Sequence, residues 1–266
     1  MAVRKFRMVS QVLPAGLLAL FVRLIYPWRR VRVIPTHSQR IGHFSANNEI
    51  YLSERDLGCH PSDCIDVFYH QKEICNLQLK KMWDREFFIL PHLKFLDYFQ
   101  LINAKLGRPE RFHLKTTDRD VDGLLNITAP HIRFLSGEED RGRLGLEAMG
   151  IGADDRFICF MSRDSSYLND VHPELNWEYH DYRNSSIVNY MSAAEEMVKR
   201  GYRCLRMGAV VDRPLDDPPE RIIDYAAKHR SDFLDIYLGA KCRFLLSDTS
   251  GFHAVPLVFR RPRIIA

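Results

Sequence analysis

The sequence lacks both of the glycine-rich motifs that most often mark a phosphate-binding loop. Neither G-x-x-x-x-G-K-[ST] nor G-x-G-x-x-G occurs in its 266 residues, which excludes a P-loop and a dinucleotide-binding domain with the usual fingerprint. Internal repeats and low-complexity segments are absent as well. Any phosphate site in this chain must therefore be built from other residues.

The sequence also lacks a cysteine framework and a strong net charge. Its six cysteines stand mostly in apolar contexts such as FICFMS and GYRCLRM, which is typical of reduced, buried thiols in an intracellular protein. Cys59, His60 and Cys64 are close in sequence, but no second pair has zinc-ligand spacing, so we predict no metal site. The net charge of +4 is too small to indicate nucleic acid and is compatible with an anionic ligand or membrane surface.

No uninterrupted apolar run reaches the roughly 20 residues that a membrane-spanning helix needs. The segment Val9–Trp28 is interrupted by four residues: Ser10, Gln11, Pro14 and Arg23. No A-x-A cleavage site follows it, which argues against a signal peptide. Basic residues flank both ends: Arg4, Lys5, Arg7, Arg29, Arg30 and Arg32. We predict that residues 1–30 form a helix on the inner face of the cytoplasmic membrane. The alternative is a soluble helix packed on the protein's own core.

From Arg32 onward, short apolar runs alternate with amphipathic helical patterns. Strands are predicted over RVRVIPT, DCIDVFYH, REFFILP, RFICFM, YRCLRMG, IIDYA, CRFLLSD and PRIIA. Such alternation indicates parallel βαβ units and the α/β class. A break at Gly150–Asp155 separates two Rossmann-like domains, predicted over 31–150 and 151–266. Ligands of such sheets bind beyond the carboxyl ends of the strands, which directs attention to the loops there.

The first of these loops is predicted over Arg40–Leu52, RIGHFSANNEIYL. Gly42 allows close backbone approach, and Asn47 offers hydrogen-bonding groups to a bound ligand. His43 and Glu49 are candidate acid–base residues. The alternative is a surface loop whose polar residues have no ligand.

In the second domain, the long loop Ser162–Ile187 begins directly after a predicted strand. Its Arg163 is placed to clamp a phosphate or carboxylate, and Arg183 supplies a second guanidinium before the next helix. Loops of this length in compact domains are usually functional. Arg206 and Gly208, at the end of another strand, are weaker candidates. For Arg163, a structural salt bridge is the alternative.

The stretch LLSDTSGFHAVPLVFR places three small residues, Thr249, Ser250 and Gly251, between a strand and a predicted helix. Free backbone N–H groups and the helix dipole at such a start favour an anion such as a diphosphate. The alternative is a plain capped helix. The chain ends at Ala266 in an apolar run that we predict to be an interior strand. We therefore expect the second domain to be incomplete and the gene product to be longer.

Several stretches together resemble a bacterial glycosyltransferase family found in surface-polysaccharide gene clusters. The resemblance lies in RIGHF with NEIYLSE, in CFMSRDSSYL, in YRNSSIVNYMSAAEEMVKRGYRCLRMG and in DFLDIYLGAKCRFLLSDTSGFHAVPLVFRRPRII, and covers most of the chain from Arg40. It implies a GT-B fold with the acceptor mainly on the first domain and the nucleotide-sugar donor on the second. It also implies no cofactor and no catalytic metal.

The resemblance assigns Arg163, Arg206, Ser250 and Gly251 to the donor, with Thr249 beside them. Inverting transfer would need a base, for which His43 and Glu49 are candidates and Asp164 is the next, whereas the alternative, retaining transfer, would need none. The implied function is sugar transfer to a cell-surface glycan or lipid-linked acceptor, at the cytoplasmic face of the membrane. The alternatives are a two-Rossmann sugar-nucleotide epimerase and a non-catalytic sugar-nucleotide-binding relative.

Overall fold

The chain divides into two compact units, each with its own parallel sheet. A computed structural model describes residues 2–164, 166–171 and 176–266. The first unit comprises residues 1–76 and 80–131, and the second comprises residues 77–79 and 132–266. The first sheet has three strands and the second has five. The parallel pairing in both sheets confirms the predicted α/β class.

The first unit has the strand order β1-β2-β3, and all strands run parallel. Its strands are β1 Arg30–Pro35, β2 Cys64–Tyr69 and β3 Ile89–Leu90. Its helices are α1 Ala2–Ile25, α2 Ile41–Asp56, α3 Leu77–Glu86, which begins in the second unit, and α4 Lys94–Lys105. One helix thus follows each of the first two strands, as the βαβ pattern predicts.

Helix α1 packs one face on the core of the first unit. Ala15, Ala19 and Val22 are buried against Leu96 and Phe99 of α4. Small residues one turn apart allow close approach of the two helix backbones, which a bulkier face would prevent. None of the helices in the described part of the chain is long and apolar enough to cross a membrane.

The segment predicted as the loop Arg40–Leu52 is instead the helix α2, and this prediction was wrong. Ten consecutive residues from Phe44 to Ser53 are buried, so both the apolar and the polar sides of the helix face protein. Asn48 donates to the carbonyl oxygen of Phe44 at 2.8 Å, one turn earlier. Because buried polar side chains interrupt the apolar spacing, the sequence shows no amphipathic pattern here.

The second unit contains a five-stranded sheet with the order β6-β5-β4-β7-β8. Its strands are β4 Phe157–Met161, β5 Arg203–Arg206, β6 Ile222–Ile223, β7 Leu245–Ser247 and β8 Arg263–Ile265. Its helices are α5 Ser136–Ala148, α6 Ser166–Val171, α7 Val188–Lys199, α8 Tyr225–Lys228, α9 Asp232–Lys241 and α10 Ala254–Val258. In chain order the strands read 3-2-1-4-5, the order of doubly wound nucleotide-binding sheets.

Strand β4 is the centre of this unit. All five of its residues are buried. Phe157, Cys159 and Met161 pack on one face of the sheet, while Ile158 and Phe160 pack on the other. This period of two is what a strand covered by helices on both faces requires. At the edge of the sheet, β8 leaves Ile264 and Ile265 exposed, although PRIIA was predicted as an interior strand.

In the sequence, the main boundary between the units lies between His131 and Ile132, before α5. The predicted boundary lies after α5, at Gly150–Asp155. Helix α5 belongs to the second unit because it packs on α9. A Cβ at Gly142 would lie 2.1 Å from ring atoms of Tyr237, so only glycine fits beneath that ring. Glu139 of α5 also accepts a hydrogen bond from the Tyr237 hydroxyl at 3.2 Å.

Candidate functional site

The strand order of the second unit places its candidate site where β4 and β7 lie side by side. The sheet's connections turn in opposite directions from these two strands, and ligands of doubly wound sheets bind beyond their carboxyl ends. Met161 pairs with Ser247 at the ends of the strands. The residues that follow, 162–164 and 248–250, are therefore neighbours. Sequence reasoning selected both loops.

Asp248 joins these loops. Its Oδ2 atom accepts a hydrogen bond from the backbone N–H of Arg163 at 2.6 Å and another from the Ser185 hydroxyl at 2.7 Å. The residue is 6% exposed, and its buried Oδ1 has no hydrogen-bond partner among the described residues. Sequence reasoning missed Asp248, although its place directly after an apolar strand could have identified it.

Two arginines meet at the same edge of the sheet. Arg163 donates from Nη1 to the Asn184 side-chain oxygen at 2.9 Å, and Arg183 donates to the backbone oxygen and hydroxyl of Thr249. The backbone N–H of Ser185 donates to the Arg163 carbonyl at 2.8 Å, which fixes the loop before α7. The structure therefore brings together Arg163, Arg183 and Thr249. This concentration of positive charge and donors suits a diphosphate.

Ser250 and Gly251 occupy less favourable positions than the sequence predicts. Ser250 is buried and donates its hydroxyl to the sulfur of Met161 at 3.3 Å, so it makes no helix cap with its side chain. Exposed Gly251 begins a 3₁₀ turn, Gly251–His253, and the α-helix α10 that follows has only five residues. A helix this short contributes little dipole, so the predicted helix-start anion site is weakened.

Asp164 uses its carboxylate to hold backbone. One oxygen accepts from the N–H of Ser166 at 2.9 Å and the other from the N–H of Asp212 at 3.3 Å. These contacts position the start of α6 and the loop after β5. Of the predicted loop Ser162–Ile187, residues 165 and 172–175 lie outside the described residues.

Arg206 has a buried partner. Its Nη1 atom lies 3.3 Å from a carboxylate oxygen of Asp224, both side chains are almost fully buried, and it also donates to the Arg213 carbonyl at 2.7 Å. The donor-binding role predicted for Arg206 is therefore corrected to a structural one. Gly208 is likewise explained by packing, since a Cβ there would lie 2.5 Å from the Val211 side chain.

In the first unit, Gly42 and His43 lie in the first turn of α2, shortly after the end of β1. Nδ1 of His43 is 3.5 Å from a carboxylate oxygen of Asp118, and both side chains are nearly half exposed. Sequence reasoning missed the neighbouring His37, whose ring centre is 6.1 Å from that of His43. Burial, and then the positive charges of His43 and His113, lower the pKa of His37 to about 4.

Asn47 and Glu49 are buried, which corrects their assignment to an exposed acceptor loop. Asn47 donates to the Thr116 hydroxyl at 2.9 Å. Glu49 is fully buried, and its carboxylate lies 3.0 Å from Nδ1 of His131. Burial opposes the charging of His131, but the hydrogen bonds and charges of Glu49 and Asp56 outweigh it and raise the pKa. Glu49 thus holds His131 in place and has no access to a substrate.

A D-x-D-x-D series at Asp118, Asp120 and Asp122 also escaped sequence reasoning. Asp120 uses both carboxylate oxygens on backbone N–H groups, those of Leu124 at 2.7 Å and Leu125 at 3.1 Å. No three histidine, cysteine or acidic residues in the described ranges come together in a way that could hold a metal ion.

Comparison with known proteins gives matches in structure and none in sequence. No protein-family model matches the chain, and no curated protein matches it. The glycosyltransferase family 9 protein from Veillonella parvula matches 90% of this chain and 80% of its own, with a TM-score of 0.51 and 13% identity. This chain shares its fold. The E. coli ADP-heptose LPS heptosyltransferase II matches 89% of this chain and 84% of its own, with a TM-score of 0.45 and 13% identity.

Proposed function

We propose that the protein is a glycosyltransferase of the GT-B type that moves a sugar from a nucleotide-sugar donor to a glycan or lipid-linked acceptor. The observation that carries this proposal is the arrangement of Arg163, Arg183 and Thr249 around Asp248, beyond the ends of β4 and β7. The fold shared with a family 9 glycosyltransferase supports it.

On the donor side, Arg163 and Arg183 would neutralise the diphosphate, and Thr249 would add a hydroxyl. Asp248 touches both loops and would hold them in register while the ligand binds. Positively charged side chains can stabilise a departing diphosphate without a metal ion, since they supply the charge that a metal otherwise supplies. We therefore propose transfer without metal or cofactor.

On the acceptor side, His43 is the base that the geometry favours over Glu49 and Asp164. It is accessible, whereas Glu49 is buried and Asp164 is bonded to backbone N–H groups. Asp118 would orient the imidazole and stabilise it when it takes the proton of the acceptor hydroxyl. An inverting transfer fits this arrangement.

We also propose that the enzyme works at the cytoplasmic face of the membrane, in the synthesis of a surface polysaccharide. Support comes from α1, whose outer face carries exposed large apolar residues. An acceptor anchored in lipid would be reached most readily by an enzyme held at the same surface.

The test is binding and turnover of UDP-, GDP-, CMP- and ADP-sugars by the full chain. Calorimetry should find that the wild type binds one class of nucleotide sugar. The Arg183→Gln variant should bind the same nucleotide sugar at least tenfold more weakly, because a charge-assisted contact is lost. Arg200→Gln is the matched control, since Arg200 lies on the surface at the end of α7 and pairs with Glu196. Failure of the folded protein to bind any nucleotide would overturn the proposal.

Turnover separates the alternatives. Inversion of a stereocentre in the free nucleotide sugar, without an acceptor, would identify an epimerase. Binding without product, over a panel of glycan and lipid-linked acceptors, would identify a non-catalytic relative.

A further inference from the structure

Helix α1 is apolar on two opposite faces, and the second face is exposed. Large apolar side chains recur three and four residues apart along it and continue into the turn that follows. We call them the apolar stripe: Leu13, Leu17, Leu20, Phe21, Leu24 and Trp28, each between 57% and 74% exposed. Single exposed apolar residues are common, but a continuous stripe on one helix face indicates a surface that something covers.

A pocket lies beside the end of this helix. It has a volume of about 380 Å³ and is lined by Arg23 of α1, by Tyr26 in the turn that follows and by residues of the segment 106–112. Three arginines dominate its lining, and none of the lining residues is acidic. We call it the arginine pocket: Arg23, Arg108 and Arg111, with Tyr26, Leu106 and Phe112 between them.

Arg23 fixes one wall of the arginine pocket. Its guanidinium carbon lies 4.3 Å from the centre of the Phe112 ring, and it donates to the Gly107 carbonyl at 3.1 Å. It also donates to the carbonyl of Asn103, in the last turn of α4. Arg23 thus offsets the negative end of α4, which would otherwise repel an anion.

Arg108 and Arg111 supply the available charge. Both are exposed, and neither side chain makes a hydrogen bond or ion pair with any residue in the part of the chain that the structure describes. The guanidinium of Arg111 lies 5.2 Å from the centre of the Tyr26 ring. Two arginines without acidic partners, beside an aromatic wall, form a site that an anion would complete.

We propose that the arginine pocket binds the phosphate of an anionic membrane lipid while the apolar stripe lies among the acyl chains. Arg23 stands on α1 between Phe21 and Leu24, so the pocket and the stripe adjoin along one helix. A helix in the membrane interface combines these two contacts, with apolar residues buried in the acyl boundary and basic residues at the headgroups. Soluble phosphate would satisfy the pocket but leave the stripe uncovered. The inference rests on the proposed membrane association and is independent of sugar transfer.

The experiment is co-sedimentation of the full chain with vesicles of phosphatidylcholine alone or of an equal mixture with phosphatidylglycerol. The double variant Arg108→Gln/Arg111→Gln should bind the mixed vesicles about 30-fold more weakly than the wild type, since each basic residue near an anionic surface contributes about a factor of five. Lys199→Gln/Arg200→Gln, which removes the same charge from exposed positions on α7 and its end, should bind like the wild type. Leu17→Gln/Leu24→Gln should lose binding to both vesicle types.

Three outcomes would overturn the proposal. Equal binding of the wild type and the pocket variant to mixed vesicles would remove the pocket from membrane contact. A wild type that binds no vesicle would refute the membrane association itself, while transfer to a soluble acceptor would still be measurable. Finally, if inorganic phosphate raises the melting temperature of the wild type but not of the pocket variant, and both bind vesicles equally, the pocket takes soluble phosphate.

Discussion

The carboxylate of Asp248 accepts a 2.6 Å hydrogen bond from the backbone N–H of Arg163, so one side chain joins the ends of the neighbouring strands β4 and β7. The same oxygen accepts a second hydrogen bond, from the Ser185 hydroxyl. Three segments that are distant in sequence therefore depend on one buried carboxylate. This relationship makes Asp248 the residue through which loop order and nucleotide binding can be tested together.

Asp248→Asn keeps the size of the side chain but removes its charge and one acceptor. We expect a loss of about 1 to 3 kcal/mol in unfolding free energy, because donors that it satisfied are left with a weaker partner. Nucleotide affinity should fall at least tenfold as the Arg163 loop loosens. Urea unfolding and calorimetry measure the two effects. Wild-type affinity in a folded variant would contradict the role proposed for Asp248.

His43→Gln tests the proposed base. We expect kcat to fall by about 100-fold with little change in KM, because general base catalysis contributes about that much. Asp118→Asn should give a smaller decrease and alter the pH profile of kcat. For comparison, Glu49→Gln should reduce stability and leave that profile unchanged. A His43→Gln enzyme with normal kcat would remove His43 from the chemistry.

The stability of the first unit should fall as the solution becomes acidic. The pKa of His37 is lowered from 6.5 to about 4. Between pH 6.5 and pH 4, the unfolded chain therefore binds a proton at His37 that the folded chain does not bind. Its contribution is therefore fully present above pH 6.5 and is lost progressively towards pH 4, by roughly 3 kcal/mol.

Unfolding measured across that range should show a smaller loss for His37→Asn. Asparagine tolerates the positive φ of 54° at this position. His131→Gln should have the opposite sign, because the raised pKa of His131 stabilises the fold most at low pH. An unchanged pH dependence in His37→Asn would contradict this account.

Two glycines of α5 provide a matched pair for the packing of α5 on α9. Gly142→Ala would place its Cβ against the Tyr237 ring, and we expect a loss of about 1 to 3 kcal/mol in unfolding free energy. Gly137→Ala meets nothing within 4 Å, and we expect a gain of up to about 1 kcal/mol from helix propensity. Thermal unfolding of the two variants should therefore move in opposite directions.

Arg206→Met separates a structural role from a ligand-binding role. It leaves Asp224 buried without its cation, and we expect a loss of about 3 to 5 kcal/mol. Arg206→Met/Asp224→Asn should recover part of that loss. Calorimetry on the folded double variant should then give near-normal nucleotide affinity, whereas a persistent loss would return Arg206 to the donor site.

The sequence predicted those parts of the fold in which apolar spacing alone decides the structure. Strand β4 is an example, because its run FICFM is buried on both faces. The same reasoning failed at α2. The polar residues Asn47, Asn48 and Glu49 suggested a loop exposed to solvent, but they are buried and hydrogen-bonded in the helix. It also placed the boundary after α5, because the contacts that assign that helix to the second unit, such as the close packing of Gly142 on Tyr237, are tertiary and leave no local pattern in the sequence.

The candidate site was predictable to the extent that it lies at strand ends. Arg163 and Thr249 follow β4 and β7, and the rule for parallel sheets selects both positions. The hydrogen bonds from Arg163 and Ser185 to Asp248 are a matter of tertiary geometry and leave no local pattern. The effect of the charges of His43 and His113 on the pKa of His37 likewise depends on tertiary packing and leaves no local pattern in the sequence.

The burial of three cysteines makes thiol reactivity a measure of how often the second unit opens. Cys159, Cys204 and Cys242 are buried, whereas Cys59 is exposed. Burial raises the pKa of Cys204 to about 12 and raises that of Cys159 as well, so their reactive thiolates form only when the unit opens. The rate at which these thiols react with an alkylating reagent therefore reports how often the second unit opens.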